Sequence, residues 1–471
     1  MKTLYWHDYE AWGTSPSQDR PSQFAGIRTD EHLNIISDPL VIYCRPTHDC
    51  LPHPEACLLT GITPQKALAD GVSEINFFQQ IHEQLTQPNT CGVGYNSIRF
   101  DDEMTRYGLY RNFYDPYERE WKNGNSRWDI IDMVRLTYAL RPDSLRWPVN
   151  DDGIPNFKLE NLSKVNGLLH EVAHDALSDV HATIGLAKLI KERQPELYNY
   201  VYGLRDKRRV SSLIDIQRRK PLLHISSRLS AAHGCAALMV PLQAHPTNNN
   251  SVICYDLSVD PEPLLTLSAD DISARLFVKQ QDLPEGCERI PLKEIHLNKS
   301  PIVATPKLLD EQAAERLGIN KQQCDEHWQL LRYVDFQDKI SRVYRQNQLP
   351  ERTDSEQKLY DGFINNNDKN LFMAIRGAEP KTLSAYSEQL SDPRLKTLLF
   401  RYRARHYPAT LSVEEMEQWQ QWRYQRLTDE NAGASIVLED FFERLSVLSK
   451  EIDVDQSIVQ GLLSYGDQLL E

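Results

Sequence analysis

Long hydrophobic runs are missing from this chain. No apolar stretch approaches the length of a membrane span, and the N-terminus has no apolar core of a secretory leader. The expectation is a cytoplasmic protein with no membrane partner. Cysteine is sparse as well. Eight in 471 residues, irregularly placed, do not make a disulfide framework and fit a reduced compartment. Cys44, Cys50 and Cys57, with His48 and His53 between them, lack a tight Cys-x-x-Cys pair, so structural zinc is not expected. Positive charge is in deficit: 53 Lys and Arg face 67 Asp and Glu, for a net −14. That argues against a uniformly basic nucleic-acid binder, though not against a local basic track. Internal repeats and a long disordered tail are absent too.

What is present is an ordinary globular composition, 40% hydrophobic and 25% charged, on a chain long enough for two or three domains. Up to about residue 195, strand and helix signals alternate. Strands are expected near Leu4–Ala11, Gln23–Arg28, Leu40–Arg45 and Cys91–Asn96. Helices are expected after Thr63-Pro64 and over Ile75–Leu85, Phe100–Glu103 onward, Trp128–Leu140, Leu159–Val165 and His174–Lys191. This is an α/β pattern. From Leu222 to Val303 the character changes to short β-type runs (Leu222–Ile225, Ala237–Pro241, Val252–Leu257, Arg275–Val278) between turn-rich stretches, which predicts a small antiparallel sheet or barrel. Beyond about residue 350 the pattern is helical.

Two stretches concentrate chemistry. In the opening strand, Asp8 and Glu10 are two residues apart and project from the same face. Carboxylates that close repel each other, and the nearest basic residues in sequence are Lys2 and Arg20. A divalent cation with oxygen ligands, Mg²⁺ or Mn²⁺, would relieve the repulsion; a solvated strand end is the alternative. The second stretch is His174-Asp175-Ala176-Leu177-Ser178-Asp179. On one helix, residues five apart face about 140° away from each other. With Asp175 as N-cap, His174 stays in the preceding loop and Asp179 faces the sheet among apolar neighbours, where it needs a partner. Asp101, with Asp102 and Glu103, opens a helix, a place where acids complement the helix dipole.

Two further segments read two ways. Arg106–Trp121 interleaves Arg106, Tyr107, Tyr110, Arg111, Phe113, Tyr114, Tyr117 and Trp121. This suits stacked bases and a phosphate backbone, or simply a packed helix. Between Arg205 and Lys220, seven basic residues, Lys207 among them, stand against two acids. That is either a nucleic-acid track or a solvated helix face.

The order of these motifs, Asp-x-Glu, then Asp101, then His-x-x-x-x-Asp, resembles the DEDDh 3′→5′ exonucleases, whose domain is a ribonuclease-H-like sheet. The stretches His7–Glu10, Tyr95–Glu103, Asn125–Trp128, Arg111–Tyr117, Ala173–Ala176 and Tyr402–Arg405 look like the bacterial exonuclease I family in particular. The resemblance covers essentially the whole chain. It implies an α/β ribonuclease-H-like exonuclease domain (1–195), a small SH3-like β-barrel domain (196–347) and an all-helical C-terminal domain (348–471). By resemblance, Asp8, Glu10, Asp101 and Asp179 match the metal-binding acids and His174 the general base. Arg106, Tyr117, Trp121, Arg135, Lys158 and Lys207 map to DNA contacts. Lys158 stands where an Arg is expected, which keeps the charge and loses the bidentate fork.

The implied activity is processive 3′→5′ degradation of single-stranded DNA to 5′-mononucleotides, in DNA repair and recombination. Four carboxylates would hold two cations, Mg²⁺ or substituting Mn²⁺, about 4 Å apart. Single-stranded-DNA-binding protein is the implied partner, with Arg332 a candidate for the pocket of its acidic tail, and the protein is expected to be a monomer. Two alternatives stand beside this. A proofreading or small-RNA exonuclease of the same fold needs only the first 195 residues. A single-stranded nucleic-acid-binding scaffold has no use for four clustered acids facing a polyanion.

Overall fold

The computed structural model describes residues 1–168, 175–346 and 352–470. They form two compact units, one built from residues 1–126, 170–184 and 351–471, the other from 127–169 and 185–350.

The first unit is organised on β1 (Thr3–Ala11), where aromatic residues favour an extended pleat. With β2 (Pro21–Thr29), β3 (Leu40–Tyr43), β4 (Thr90–Gly94) and β5 (Ser126–Asp129, of which only Ser126 falls in this unit) it makes a five-stranded sheet of order β3-β2-β1-β4-β5. β1 runs antiparallel to β2 and parallel to β4. The β1–β2 pair is close-packed. A Cβ at Gly26 would sit 2.3 Å from the Tyr5 hydroxyl, so only glycine fits opposite that ring. Trp6, fully buried, donates its indole N–H to Thr29 Oγ1 at 2.9 Å.

One side of the sheet is covered by helices Glu74–Leu85 and Asp101–Arg111, whose Phe77, Phe78, Ile81, Leu85, Met104 and Leu109 pack with Tyr5, Tyr9 and Phe24. Ser73 caps the first of these by accepting the Asn76 N–H. Thr63 does the same for helix Pro64–Asp70, as its Thr-Pro start predicts. The carboxyl-terminal helices complete two more cores. Trp12, Leu51, Cys57 and Ile62 pack with Phe441, Leu445, Leu462 and Leu469, and Tyr110 and Phe113 pack with Phe372, Leu398 and Tyr402.

Between these cores lies a buried ionic junction. Arg405 grips Asp49 through Nε–Oδ1 (3.0 Å) and Nη2–Oδ2 (2.8 Å) and reaches Glu356 at 2.5 Å. Arg20 also meets Glu356, at 2.5 Å, and Arg111 binds Glu74 at 2.7 Å.

The second unit carries β6 (Leu222–Ile225), β7 (Ala236–Ala244), β8 (Ser251–Asp256), β9 (Leu292–His296) and β10 (Ile302–Ala304), all antiparallel, in the order β10-β6-β7-β8-β9. The β7–β8 register shifts between Pro241 and Gln243, where Pro has no N–H to give the ladder.

Two sequence expectations are corrected. Trp128 does not start a helix. It lies in β5, edge-on to Tyr198 and Tyr202, and the Asp129 carboxylate accepts the Ile131 N–H to begin helix Ile131–Leu140 one turn later. Arg275–Val278 is not a strand. Ser268 caps helix Ala269–Leu276, whose Ala269, Ile272 and Leu276 are buried at helical spacing. The last two strands of that sheet, β9 and β10, carried too short a pattern to be read. The cysteines are free thiols, and Cys44, Cys50 and Cys57 do not assemble with His48 and His53 among the described residues. No helix of the described residues is long and apolar enough to cross a membrane.

Candidate metal centre

Strand alternation puts Asp8 and Glu10 on one face of β1, opposite Ala25 and Gln23 of β2. Asp179 reaches the same place from helix Ala176–Arg193. One carboxylate oxygen from each of Asp8, Glu10 and Asp179 lies within 4.8 Å of the others, and this is the only grouping of potential ligands of its kind among the described residues.

Asp101 belongs to the same electrostatic site. It is buried in the first turn of helix Asp101–Arg111, where its Oδ1 accepts the Tyr9 backbone N–H at 3.0 Å. Thr105 Oγ1 donates to the Asp101 carbonyl at 2.9 Å and lies 2.9 Å from the Tyr9 hydroxyl, so the helix start is tied to the strand at two heights. Next to it, Arg119 holds Asp102 at 2.7 Å.

The acids strain one another. Burial first, and then Asp101, Asp179, Glu10 and Asp175, push the Asp8 carboxyl well above the carboxylate range. Burial and repulsion from Asp179, Asp101 and Asp175 push Glu10 up to about 9. A donor set made wholly of carboxylate oxygens fits a hard divalent cation, whose charge would reverse both shifts. The residues present therefore fit the group that the sequence implies.

Asp175 acts as the N-cap. Its Oδ2 accepts the Ser178 N–H at 3.2 Å, and its carbonyl accepts the Asp179 N–H at 3.0 Å. His174 lies outside the described residues.

The residues expected at DNA are placed differently from one another. Arg106 is buried and committed. Its Nε and Nη2 fork onto Glu120 at 2.7 Å each, Nη1 binds Glu103 and the Tyr360 hydroxyl at 2.9 Å, and its plane lies 5.3 Å from the half-buried Tyr117 ring. Trp121 is 64% exposed. In the second unit, Arg135 binds Asp132 at 2.6 Å and lies over Phe157. Lys158 is exposed at the N-cap of helix Leu159–Asn166. Lys207, exposed on helix Lys207–Leu213, bonds the Asn250 side chain and with Arg208, Ser211 and Ser212 lines an open cavity of about 480 Å³. Arg332 lies against Trp328 and Tyr333, 4.6 and 4.5 Å from their ring centres. Sequence reasoning missed Gln23 and Arg119, whose roles depend on partners distant in the chain.

A mixed sheet with Asp-x-Glu on its central strand and an Asp from a crossing helix defines a nuclease-type exonuclease domain. The family model described as Exonuclease matches residues 5–187. Models for the Exonuclease I SH3-like domain and the Exonuclease I C-terminal domain match residues 205–346 and 353–469. The chain is 44% identical to exodeoxyribonuclease I of Haemophilus influenzae over 99% of both chains. It is 42% identical to that of Escherichia coli, over 100% of this chain and 98% of the relative. Among solved structures, a moderately thermophilic exonuclease I from Methylocaldum szegediense superposes with TM-score 0.96 at 47% identity, covering both chains fully. Escherichia coli exonuclease I in complex with a dA16 oligonucleotide superposes with TM-score 0.95 at 41% identity, also over 100% of each. The chain belongs to the exonuclease I family.

Proposed function

We propose that this protein is a processive 3′→5′ exodeoxyribonuclease that hydrolyses single-stranded DNA to 5′-mononucleotides. The observation that carries the reading is the convergence of Asp8, Glu10 and Asp179 oxygens within 4.8 Å, beside a buried Asp101. Acids so placed repel a polyanion unless cations intervene, so the site works with divalent metal. Asp8, Glu10 and Asp179, with Asp101 adjoining, would hold two Mg²⁺, with Mn²⁺ able to substitute. Bound there, the metal supplies charge neutralisation at the scissile phosphate and a more acidic water. His174, the general base that the resemblance implies, takes the proton of the attacking water.

Trp121 offers an exposed face for base stacking, and Tyr117 a second one backed by Arg106. Lys158 and Lys207 contribute exposed charge, and Arg135 adds a guanidinium that is buried against Asp132. Stacking and backbone charge make binding indifferent to sequence. Two structures of one relative, the Escherichia coli enzyme with dA16 and with a 5cy-dT13 oligonucleotide, support single-stranded DNA as the substrate class. The protein acts as a cytoplasmic monomer in repair. Single-stranded-DNA-binding protein docks an acidic tail near Arg332, whose guanidinium lies between the exposed Tyr333 and Trp328.

Oligonucleotides labelled at the 5′ end test the reading: single-stranded, blunt duplex and 3′-phosphate-blocked, each with Mg²⁺ or EDTA. Stepwise shortening of the single strand in Mg²⁺ alone, little action on the duplex and slowed action on the blocked strand are expected. Equal digestion of the duplex, or immediate loss of the labelled end nucleotide, would overturn the strand choice or the polarity.

A further inference from the structure

We propose that Gln23 is a positioning residue for the metal centre: its amide clasps the first turn of the helix that carries Asp179 and keeps Asp175 a cap instead of a ligand. The inference rests on the exonuclease reading of the same site.

Gln23 is 1% exposed on β2, directly opposite Glu10 across the antiparallel pair. Directly opposed residues share a face, so Gln23 projects beside Glu10 toward the acids. There its Nε2 donates to Asp175 Oδ1 at 3.3 Å, while its Oε1 accepts the Ala176 N–H, also at 3.3 Å. The amide orientation follows from these two partners. Turned over, the NH₂ group would meet an N–H and the oxygen would meet a carboxylate.

A primary amide offers a donor and an acceptor side by side at this length, and glutamate or a hydrocarbon of the same size does not. The clasp engages one Asp175 oxygen, and the Ser178 N–H engages the other. Asp175 is therefore spoken for on both oxygens, although it lies near enough to Asp8 and Glu10 to repel them. Released, it would be a further acid able to swing toward the cations, and the start of its helix would lose its tie to the strand beside Glu10.

The test uses full-length Gln23→Glu and Gln23→Ala. It reads Mn²⁺ binding by calorimetry, kcat and KM on a single-stranded oligonucleotide, and melting temperature. Both variants should lose roughly 10- to 100-fold in kcat or in Mn²⁺ affinity, the range for groups that orient metal ligands, with KM for DNA within about 3-fold. Adding Gln23→Ala to Asp175→Ala should cost less than Gln23→Ala costs in the parent, because one of the two contacts it removes is already gone. Additive losses would overturn the clasp. So would a size-preserving Gln23→Glu that binds Mn²⁺ and turns over like the parent, even if Gln23→Ala melts early. If the parent releases no nucleotide, the activity reading falls, and the Mn²⁺ comparison still decides the role of Gln23.

Discussion

Asp8 and Glu10 gain nothing from each other in the folded chain; their neighbours make each harder to ionise. Strain of this kind is stored at functional sites and stabilised by the rest of the fold. Asp8→Asn should therefore abolish nucleolysis and yet stabilise the metal-free protein by about 1–2 kcal/mol, since a neutral amide escapes the penalty that burial and repulsion place on the acid. Asp179→Asn should also abolish activity. Cleavage within a few-fold of the parent by either variant would refute the ligand assignment.

The sign of the pH effect follows. Glu10 titrates at about 9 when folded and at 4.5 ordinarily, so between those values the folded state binds a proton that the unfolded state does not. This contribution to stability is present in acid and is lost as pH rises toward 9. A divalent cation removes the cause, so the melting-temperature gain from Mg²⁺ should grow from pH 6 to pH 9. An equal gain at both pH values would show that these acids do not hold the metal.

At the scale of elements, much of the site was legible. Period-two alternation in an aromatic run places Asp8 and Glu10 together whatever the sheet around them, and a cap residue before Ala176 turns Asp179 inward. Gln23 was not legible, because its position opposite Glu10 depends on the β1–β2 pairing, whose register shifts at the next step, Glu10 to Ala11. Trp128 was misread because an aromatic residue before an amphipathic helix looks like its first turn, until Asp129 supplies the start one turn later.

The buried junction of acids and arginines was equally hidden. Burial alone would raise the Asp49 and Glu356 carboxyls, but Arg405 and its arginine neighbours hold both below the usual range. That stability is present above about pH 4 and is lost as pH falls further. Arg405→Ala should destabilise the protein by about 3–5 kcal/mol, because it leaves Asp49 buried with its bidentate partner gone. Urea titration at pH 7 checks it, and a loss below about 1 kcal/mol would mean that Arg20 and Arg426 suffice.

For the whole molecule, the three chain textures, each matched by its own family model, fall into two compact units. The helices after residue 351 share cores and buried ion pairs with the first 126 residues. The sequence could show that the carboxyl-terminal segment is helical, but its partner face lies hundreds of residues earlier, beyond the reach of periodicity. A fragment ending near residue 195 keeps every acid of the centre and strips Trp12, Tyr110 and Asp49 of their cover. It should therefore be largely unfolded by circular dichroism and lack activity, and not merely lose processivity. A folded, slow and distributive fragment would show that the sheet stands alone.

The distance between Asp49 and Arg405, 356 positions along the chain, is also a waiting time. At about 5–20 residues per second, translation separates the two partners by roughly 20 to 70 seconds. During that interval the acids of β1 exist without the carboxyl-terminal helices that complete the two adjoining cores. A chain that stops short of those helices should carry no working centre. Ribosome-bound chains halted before residue 400 should be digested readily by protease in their first 126 residues. Chains with the last helices clear of the exit tunnel should resist.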